Sequence, residues 1–525
     1  MLAPFRMKIF KTDYSATGAF SALITDYLAQ DPKLQPFYNR FPALENFGEQ
    51  VREKQQAPVN RELLCSVLHE QYANIAEVQP LVQQNIKLLG QPNTFTVTTG
   101  HQLNIFTGPL YFVYKIISAI NTCKRLNETY PDYNFVPVYW MATEDHDFAE
   151  VNHFNLFGKK YTWESNQTGA VGRFSTADMA ELLSSLPEAC PVFTEAYANY
   201  SNLTDATRAI THALFGAYGL VSLDGDHPAL KQVLQPVVEQ ELTQHTAHQL
   251  VTEVSEKLAA EYKAQVMSRE INFFYLDTGR RERIVREGDS YKVLNTDLVF
   301  SEAEILKLAA EEPDKFSPNV ILRPLYQEMV LPNLAYIGGG AEVNYWFQLK
   351  PVFEAYGVPY PMVMLRNSAL YINKASAIRR HKLNLQPEDL FKETNVLKKQ
   401  ITAQFEHDGL SLAAEKEQIE NIFQRITQLA ASIDPTLEKT VAAERQKTHN
   451  ALEVLEKKIV KANDTKYETH FNQLNNLKEK LFPGGTLQER TDNLLTYKTN
   501  NPEFIEQLLA ALDPLEHKFT VLEEE

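Results

Sequence analysis

The stretch "VTTGHQLNIFTGPLYFVYKIISAI" (Val97–Ile120) decides the fold. It starts with β-branched residues, crosses a polar loop punctuated by glycine, and ends in apolar residues at helical spacing. Phe95–Thr99 reads as a short strand. The spacing predicts a helix over Pro109–Leu126, with Leu110, Val113, Ile117, Ile120 and Cys123 on one face. Next comes "FVPVYWMA" (Phe135–Ala142), a nearly continuous apolar run, as expected of a strand buried on both faces. Strand, helix and strand make a βαβ unit.

The pattern recurs. "GLVSLDGDHP" (Gly219–Pro228) reads as strand, polar loop, helix. So does "NLAYIGGGAEVNYWFQLKPVFEAYG" (Asn333–Gly357), followed by the strand "YPMVMLR" (Tyr360–Arg366). Such alternation predicts an α/β class, a doubly wound parallel sheet within residues 1–385. Segments at about 165–215 and 230–320 interrupt it and read as helical or mixed insertions.

Beyond residue 386 Gly and Pro become rare until "FPGG" (Phe482–Gly485). Leu412, Ile419, Phe423, Ile426, Ala430 and Ile433 recur at heptad-like spacing, and Asp434–Pro435 reads as an N-cap with Pro just inside a second helix. That helix is expected to run to about Phe482, with Thr448, Leu452, Leu455, Ile459 and Ala462 as its seam. Thr486-x-x-Glu489 reads as a capping box opening a further helix. Residues 386–525 are thus expected to form a helical coiled-coil arm, and its long seam calls for self-association as a homodimer.

Bulk properties narrow the function. The chain has 525 residues and a formal net charge of -16, which opposes non-specific contact with nucleic acid or anionic membrane. An anionic small ligand needs a local basic pocket. No apolar run approaches the ~20 residues of a membrane span. "MLAPFRMKIFKTDYS" at the N-terminus has no signal-peptide apolar region. Cys65, Cys123 and Cys190 lie far apart, which fits a reducing cytoplasm and leaves no zinc site built from cysteines.

In a parallel sheet the strand carboxyl ends share one edge, and ligands bind there where strand order reverses. The loops Gly100–Gly108, Thr143–His153, Asp224–Pro228 and Gly338–Glu342 should therefore converge. Thr107-Gly108-Pro109 is either an anion-binding helix start, with Tyr111 and Lys115 on the first turns, or simply a cap. "TEDHDFAEVNH" holds Glu144, Asp145, His146, Asp147, Glu150 and His153. It suits acid–base work or substrate binding, a divalent metal, or a solvated acidic helix start. Gly338, Gly339 and Gly340 allow close backbone approach, or serve a tight turn, and Glu342 follows them. "TGRRERIVREG" (Thr278–Gly288) reads as a hairpin whose arginines are salt-bridged or bind an anion. There is no KMSKS-like lysine loop and no Gly-x-Ser-x-Gly elbow.

"TTGHQLNIFTGPLYFVYKI", "PVYWMATEDHDFAEVNH" and "LPNLAYIGGGAEVNYWFQLK", in this order and followed by a coiled coil, resemble the bacillithiol-biosynthesis cysteine-adding enzymes, the BshC family. The resemblance spans essentially the whole chain. It implies a Rossmann-like core with connecting-peptide insertions, similar to class I nucleotidyltransferases and aminoacyl-tRNA synthetases, and a coiled-coil dimerisation arm. It implies a ligase that forms an amide between L-cysteine and glucosaminyl-malate in the last step of bacillithiol synthesis. By fold analogy, ATP with Mg would activate the carboxylate.

The expected binding residues are His101, Gln102, Thr107, Gly108, Tyr111, Lys115, Gly338, Gly339, Gly340 and Glu342, with Glu144, Asp145 and His146 as catalytic groups and no metal ligands assigned. Thr107 and Gly108 would hold an anion, Glu342 and Asp145 would attract an ammonium, and His146 would take the amine proton. Two other functions compete. One is a nucleotide-responsive scaffold using the arm, the other a metal-assisted hydrolase using Asp145 or His146.

Overall fold

The computed structural model describes residues 7–187, 190–405 and 411–525. Met1–Arg6, part of the stretch read for a leader, lie outside the described residues. The chain divides into two compact units. The larger comprises Ile9–Leu370 and Thr486–Leu522, the smaller Tyr371–Gly485 and Glu523–Glu525 with residues 7–8.

At the centre of the larger unit is a five-stranded parallel sheet. Numbering only these strands, they are β1 (Thr94–His101), β2 (Asn134–Met141), β3 (Val221–Asp224), β4 (Asn333–Gly338) and β5 (Met362–Leu365). Every neighbouring pair is parallel and the order across the sheet is 3-2-1-4-5, the doubly wound order. The register brings the carboxyl ends level: His101 pairs with Met141, Met141 with Asp224, Thr99 with Ile337, and Gly338 with Leu365. Strand order reverses between β1 and β4.

The alternation in β1 explains its place. Phe95 and Val97 enter an apolar core with Phe135, Leu334, Ile337, Met362 and Met364. Thr96 and Thr98, equally buried, both donate to Asn333 Oδ1 at 3.1 and 2.8 Å, so the polar face of the strand is satisfied inside the protein.

The helix after β1 spans Tyr111–Thr129. The expected apolar face is buried, but so are Phe112, Tyr114, Ile116 and Ala119 on the other sides. It is not a half-exposed helix. Residues from beyond the arm cover its outer side, where Asn121 Nδ2 donates to Leu509 O at 2.9 Å. A helix apolar all round is a buried helix.

Two insertions leave the sheet edge. Between β2 and β3 come the antiparallel pair His153–Leu156 and Lys159–Thr162 and then helices up to Leu203–Phe215. Between β3 and β4 come helices up to Thr246–Ala259 and a second five-stranded sheet, antiparallel throughout.

In the smaller unit the helices Ala413–Ile433 and Leu437–Leu481 pack against each other. Pairs Lys416–Glu456 (2.6 Å), Arg445–Glu420 (3.0 Å) and His449–Glu420 (3.1 Å) run in opposite chain directions, which makes the hairpin antiparallel. The second helix starts at Leu437, not at Pro435, because Asp434 closes a turn by accepting from Thr436 N at 2.9 Å.

The expected stripe divides between two faces. Ile419, Phe423 and Ala430 are half-buried, while Ile426 and Ile433 stand open together with Ile422 and Leu429. Residues 486–522 belong to the larger unit, where Leu487, Leu494, Phe504 and Leu508 are buried. The element that follows Thr486 is a short 3-10 turn, Gln488–Arg490, and the Glu489 carboxylate is taken by Arg366.

Candidate functional site

A cleft of about 830 Å³ opens at the carboxyl ends of the strands, beside the β1/β4 reversal. Gly100 and His101 line it from β1 and Gln102 from just beyond it, Glu144 and Asp145 from the loop after β2, and Gly339, Gly340 and Glu342 from the turn and helix start after β4. Tyr111 and Lys115 line it from the helix. All of these but Gly100 are expected site residues, so the fold brings nine of them together. Gly338 ends β4 just behind the lining; a Cβ there would come within 2.9 Å of Glu342 Cβ, so glycine lets the next helix pack.

Thr107 and Gly108 are not in the lining. Both have positive φ, 66° and 58°, and a Cβ on Gly108 would meet Asn104 Cβ at 2.6 Å. Three amides of this stretch, that of Gly108 among them, are already used. Phe106 N donates to Tyr197 OH, Gly108 N to Ile105 O and Leu110 N to Asp492 O, at 2.8, 2.9 and 2.8 Å. Asn493 Nδ2 also donates to the Phe106 and Gly108 carbonyls, at 2.7 Å each. The loop is a strained, plugged junction, and the helix proper starts only at Tyr111.

Lys115 and Glu342 are 2.5 Å apart. Lys115 Nζ also donates to Gly100 O at 2.9 Å. Glu342 further accepts from Tyr336 OH at 2.7 Å and Gly339 N at 2.8 Å. Burial raises the Glu342 carboxyl, but Lys115 and these donors outweigh it and hold it below the usual carboxylate range. Glu342 is therefore neutralised within the protein and is not free to attract a substrate ammonium, as the sequence suggested.

The loop after β2 is held by side chains. Gln102 Nε2 donates to Asp145 Oδ2 and Glu150 Oε2, each at 2.7 Å. Asp145 Oδ1 accepts from His146 N at 2.7 Å. Glu144 pairs with the buried Lys231.

His146 lies outside the lining, with its side chain 45% exposed. Its Nδ1 accepts from Arg281 Nη1 at 2.9 Å, which places the neutral ring's proton on Nε2. Burial and then Arg281 lower its pKa. The ring nitrogen needed to take a proton is already occupied. His101, by contrast, lines the cleft. Its pKa is driven well below the usual histidine value by burial, Lys115 and Arg366, and its Nε2 has no partner among the described residues.

Arginines dominate the rest of the wall. Lys115, Arg269, Arg281, Arg283, Arg323, Arg366 and Arg490 face four acids, Glu144, Asp145, Glu150 and Glu342. Among the described residues, Arg269, Arg281, Arg283, Arg323 and Arg490 have no carboxylate within salt-bridge distance. Arg281 is fixed without one: its guanidinium donates to Ser317 Oγ (2.9 Å) and Pro318 O (3.1 Å) and lies 4.0 Å above the Phe274 ring. Arg366 is buried, with Nη2 donating to Glu489 Oε1 at 2.7 Å.

Sequence reading flagged only the 280–286 arginines, as a hairpin that is salt-bridged or binds an anion. They do form one, between Phe273–Asp277 and Arg280–Glu287. The fifth sheet-edge loop, which begins at Arg366, was legible from the same strand-end logic and was missed. Arg269, Arg323 and Arg490 carry no local signal. Among the described residues no group of three His, Cys, Asp or Glu side chains is arranged to hold a metal ion, and no helix is long and apolar enough to cross a membrane.

Comparison with known proteins gives matches along nearly the whole chain. Residues 7–367 match the bacillithiol biosynthesis BshC N-terminal Rossmann-like domain, and residues 369–524 the BshC C-terminal coiled-coil domain. A Flavobacterium psychrophilum protein named "Putative cysteine ligase BshC" is 45% identical over 97% of this chain and 98% of its own length. Proteins of the same name from Flavobacterium johnsoniae (44%, 97% and 98%) and Cytophaga hutchinsonii (40%, 94% and 95%) are similarly close.

Proposed function

The chain belongs to the bacillithiol biosynthesis BshC family, and from that premise we propose that it is a ligase joining L-cysteine to glucosaminyl-malate through an amide bond, the last step of bacillithiol synthesis. The observation that carries this reading is the set of five arginines without carboxylate partners at the β1/β4 reversal of a chain whose net charge is -16. Gathering them there opposes their mutual repulsion and is stabilised when an anion enters. Both substrates are carboxylates, and malate contributes two.

Amide formation needs one nucleophilic amine, one activated carboxylate and a proton acceptor. Asp145 is the acceptor the geometry favours. It lines the cleft, and Gln102 and the His146 amide fix its two oxygens. His146 instead holds Arg281 from the far side. The neutral His101 imidazole is suited to hydrogen-bond a substrate oxygen, beside the Lys115–Glu342 pair.

ATP with Mg would be the activating pair. Arg281 and Arg323 would hold its phosphate oxygens. When bound, ATP supplies the activation that makes a carboxylate oxygen a leaving group.

The arm is proposed to make a homodimer. Ile422, Ile426, Leu429 and Ile433 are 53, 42, 64 and 74% exposed, at four-three-four spacing. That is a second heptad seam without a cover in the single hairpin.

The test is incubation of the pure chain with cysteine and glucosaminyl-malate, with and without ATP–Mg, reading the thiol product by mass spectrometry. Product that needs ATP supports the full reading. Product without ATP removes the nucleotide, and no product under either condition removes the ligase.

A further inference from the structure

After the arm, the chain rejoins the larger unit at Thr486, and the turn Gln488–Arg490 borders the cleft. The turn is fixed from both sides. Glu489 is fully buried and accepts from Arg366 Nη2 (2.7 Å), Ser368 Oγ (3.2 Å) and Ala369 N (3.3 Å). Just beyond it, Asp492 O and the Asn493 side chain bond the loop before the Tyr111 helix, at 2.8 and 2.7 Å. Arg490 is the exposed member of the turn and lines the cleft. It lies close enough to Tyr111 to act electrostatically on its hydroxyl, on the ring over which Arg366 also sits, 5.4 Å from the centroid.

An ordinary surface arginine moves with its loop. Here the backbone is immobilised, so only the side chain is ordered on binding, and the entropic cost is small. Its guanidinium has no carboxylate within salt-bridge distance among the described residues. We propose that Arg490 is a specificity-determining residue, binding a carboxylate or phosphate oxygen of a substrate held in the cleft. The inference rests on the cleft being the ligase's substrate site. It gives the segment that the family match counts with the coiled-coil domain, residues 369–524, a direct part in substrate recognition.

Calorimetric titration of the full-length chain with glucosaminyl-malate alone and with ATP–Mg alone tests it, using the unaltered protein, Arg490→Gln and Arg490→Lys. Arg490→Gln should weaken one of the two ligands roughly 10- to 100-fold, as for loss of a hydrogen bond between charged groups, and Arg490→Lys should recover part of the loss. The ligand affected tells carboxylate from phosphate. If Arg490→Gln binds both ligands as the unaltered protein does, the assignment is overturned and the cleft reading stands. If the unaltered protein binds neither, the cleft reading fails and takes this inference with it.

Discussion

Lys115 and Glu342 meet at 2.5 Å across the point where the strand order reverses. One residue comes from the helix after β1, the other from the helix after β4. The pair therefore ties together the two halves of the sheet edge at the floor of the cleft. Replacing Lys115 by Met would leave a largely buried carboxylate without its cation. We expect a loss of about 3–5 kcal/mol in unfolding free energy. Lys115→Met combined with Glu342→Gln should cost clearly less than the sum of the single changes. Strict additivity in urea denaturation would show that the pair is not a unit.

His101 sets a pH dependence. Its folded pKa is depressed, by burial first and then by Lys115 and Arg366. The unfolded chain therefore binds the proton more readily. The stability His101 contributes is fully present above its unfolded value of about 6.5 and is lost as pH falls below it toward the folded value. Between pH 7.5 and 5.5 the unaltered protein should lose up to about 1.4 kcal/mol more than His101→Gln. Equal losses, measured by denaturant midpoints at both pH values, would exclude a neutral buried imidazole.

Asp145 and His146 are neighbours with different expected roles. Asp145→Asn should reduce turnover by about 10²–10⁴-fold if its carboxylate accepts the amine proton. His146→Asn should cost no more than about tenfold, since only a prop for Arg281 is lost. The reverse order of effects in steady-state product formation would return the base to His146.

The open seam on the arm can be tested without touching the cleft. Ile426→Glu with Leu429→Glu places charges in a contact that must be dry if two arms pair. The unaltered chain should sediment as a dimer at micromolar concentration and the double variant as a monomer. A monomeric unaltered chain, or a dimer that survives both charges, counts against self-association through this face.

The strand at Phe95–Thr99, the apolar run at Phe135–Ala142 and the Gly-rich turn after Ile337 place the parallel sheet and its active edge from sequence alone. Their information is local. A run buried on both faces must be apolar throughout, and a helix must follow it to return the chain. The two long arm helices are legible for the same reason, through their period. Periodicity does not say which stripe meets which partner, so Ile426 and Ile433 were assigned to a seam that Ile419, Phe423 and Ala430 occupy without them. Nor does it reveal that Tyr197 takes the Phe106 amide and Asp492 the Leu110 amide on either side of Gly108, or that the Glu489 carboxylate serves Arg366. Those outcomes belong to the tertiary structure. A side chain's charge and donors are written in the sequence, but whether they face a ligand or a partner depends on which distant segment arrives beside them, and burial makes that choice.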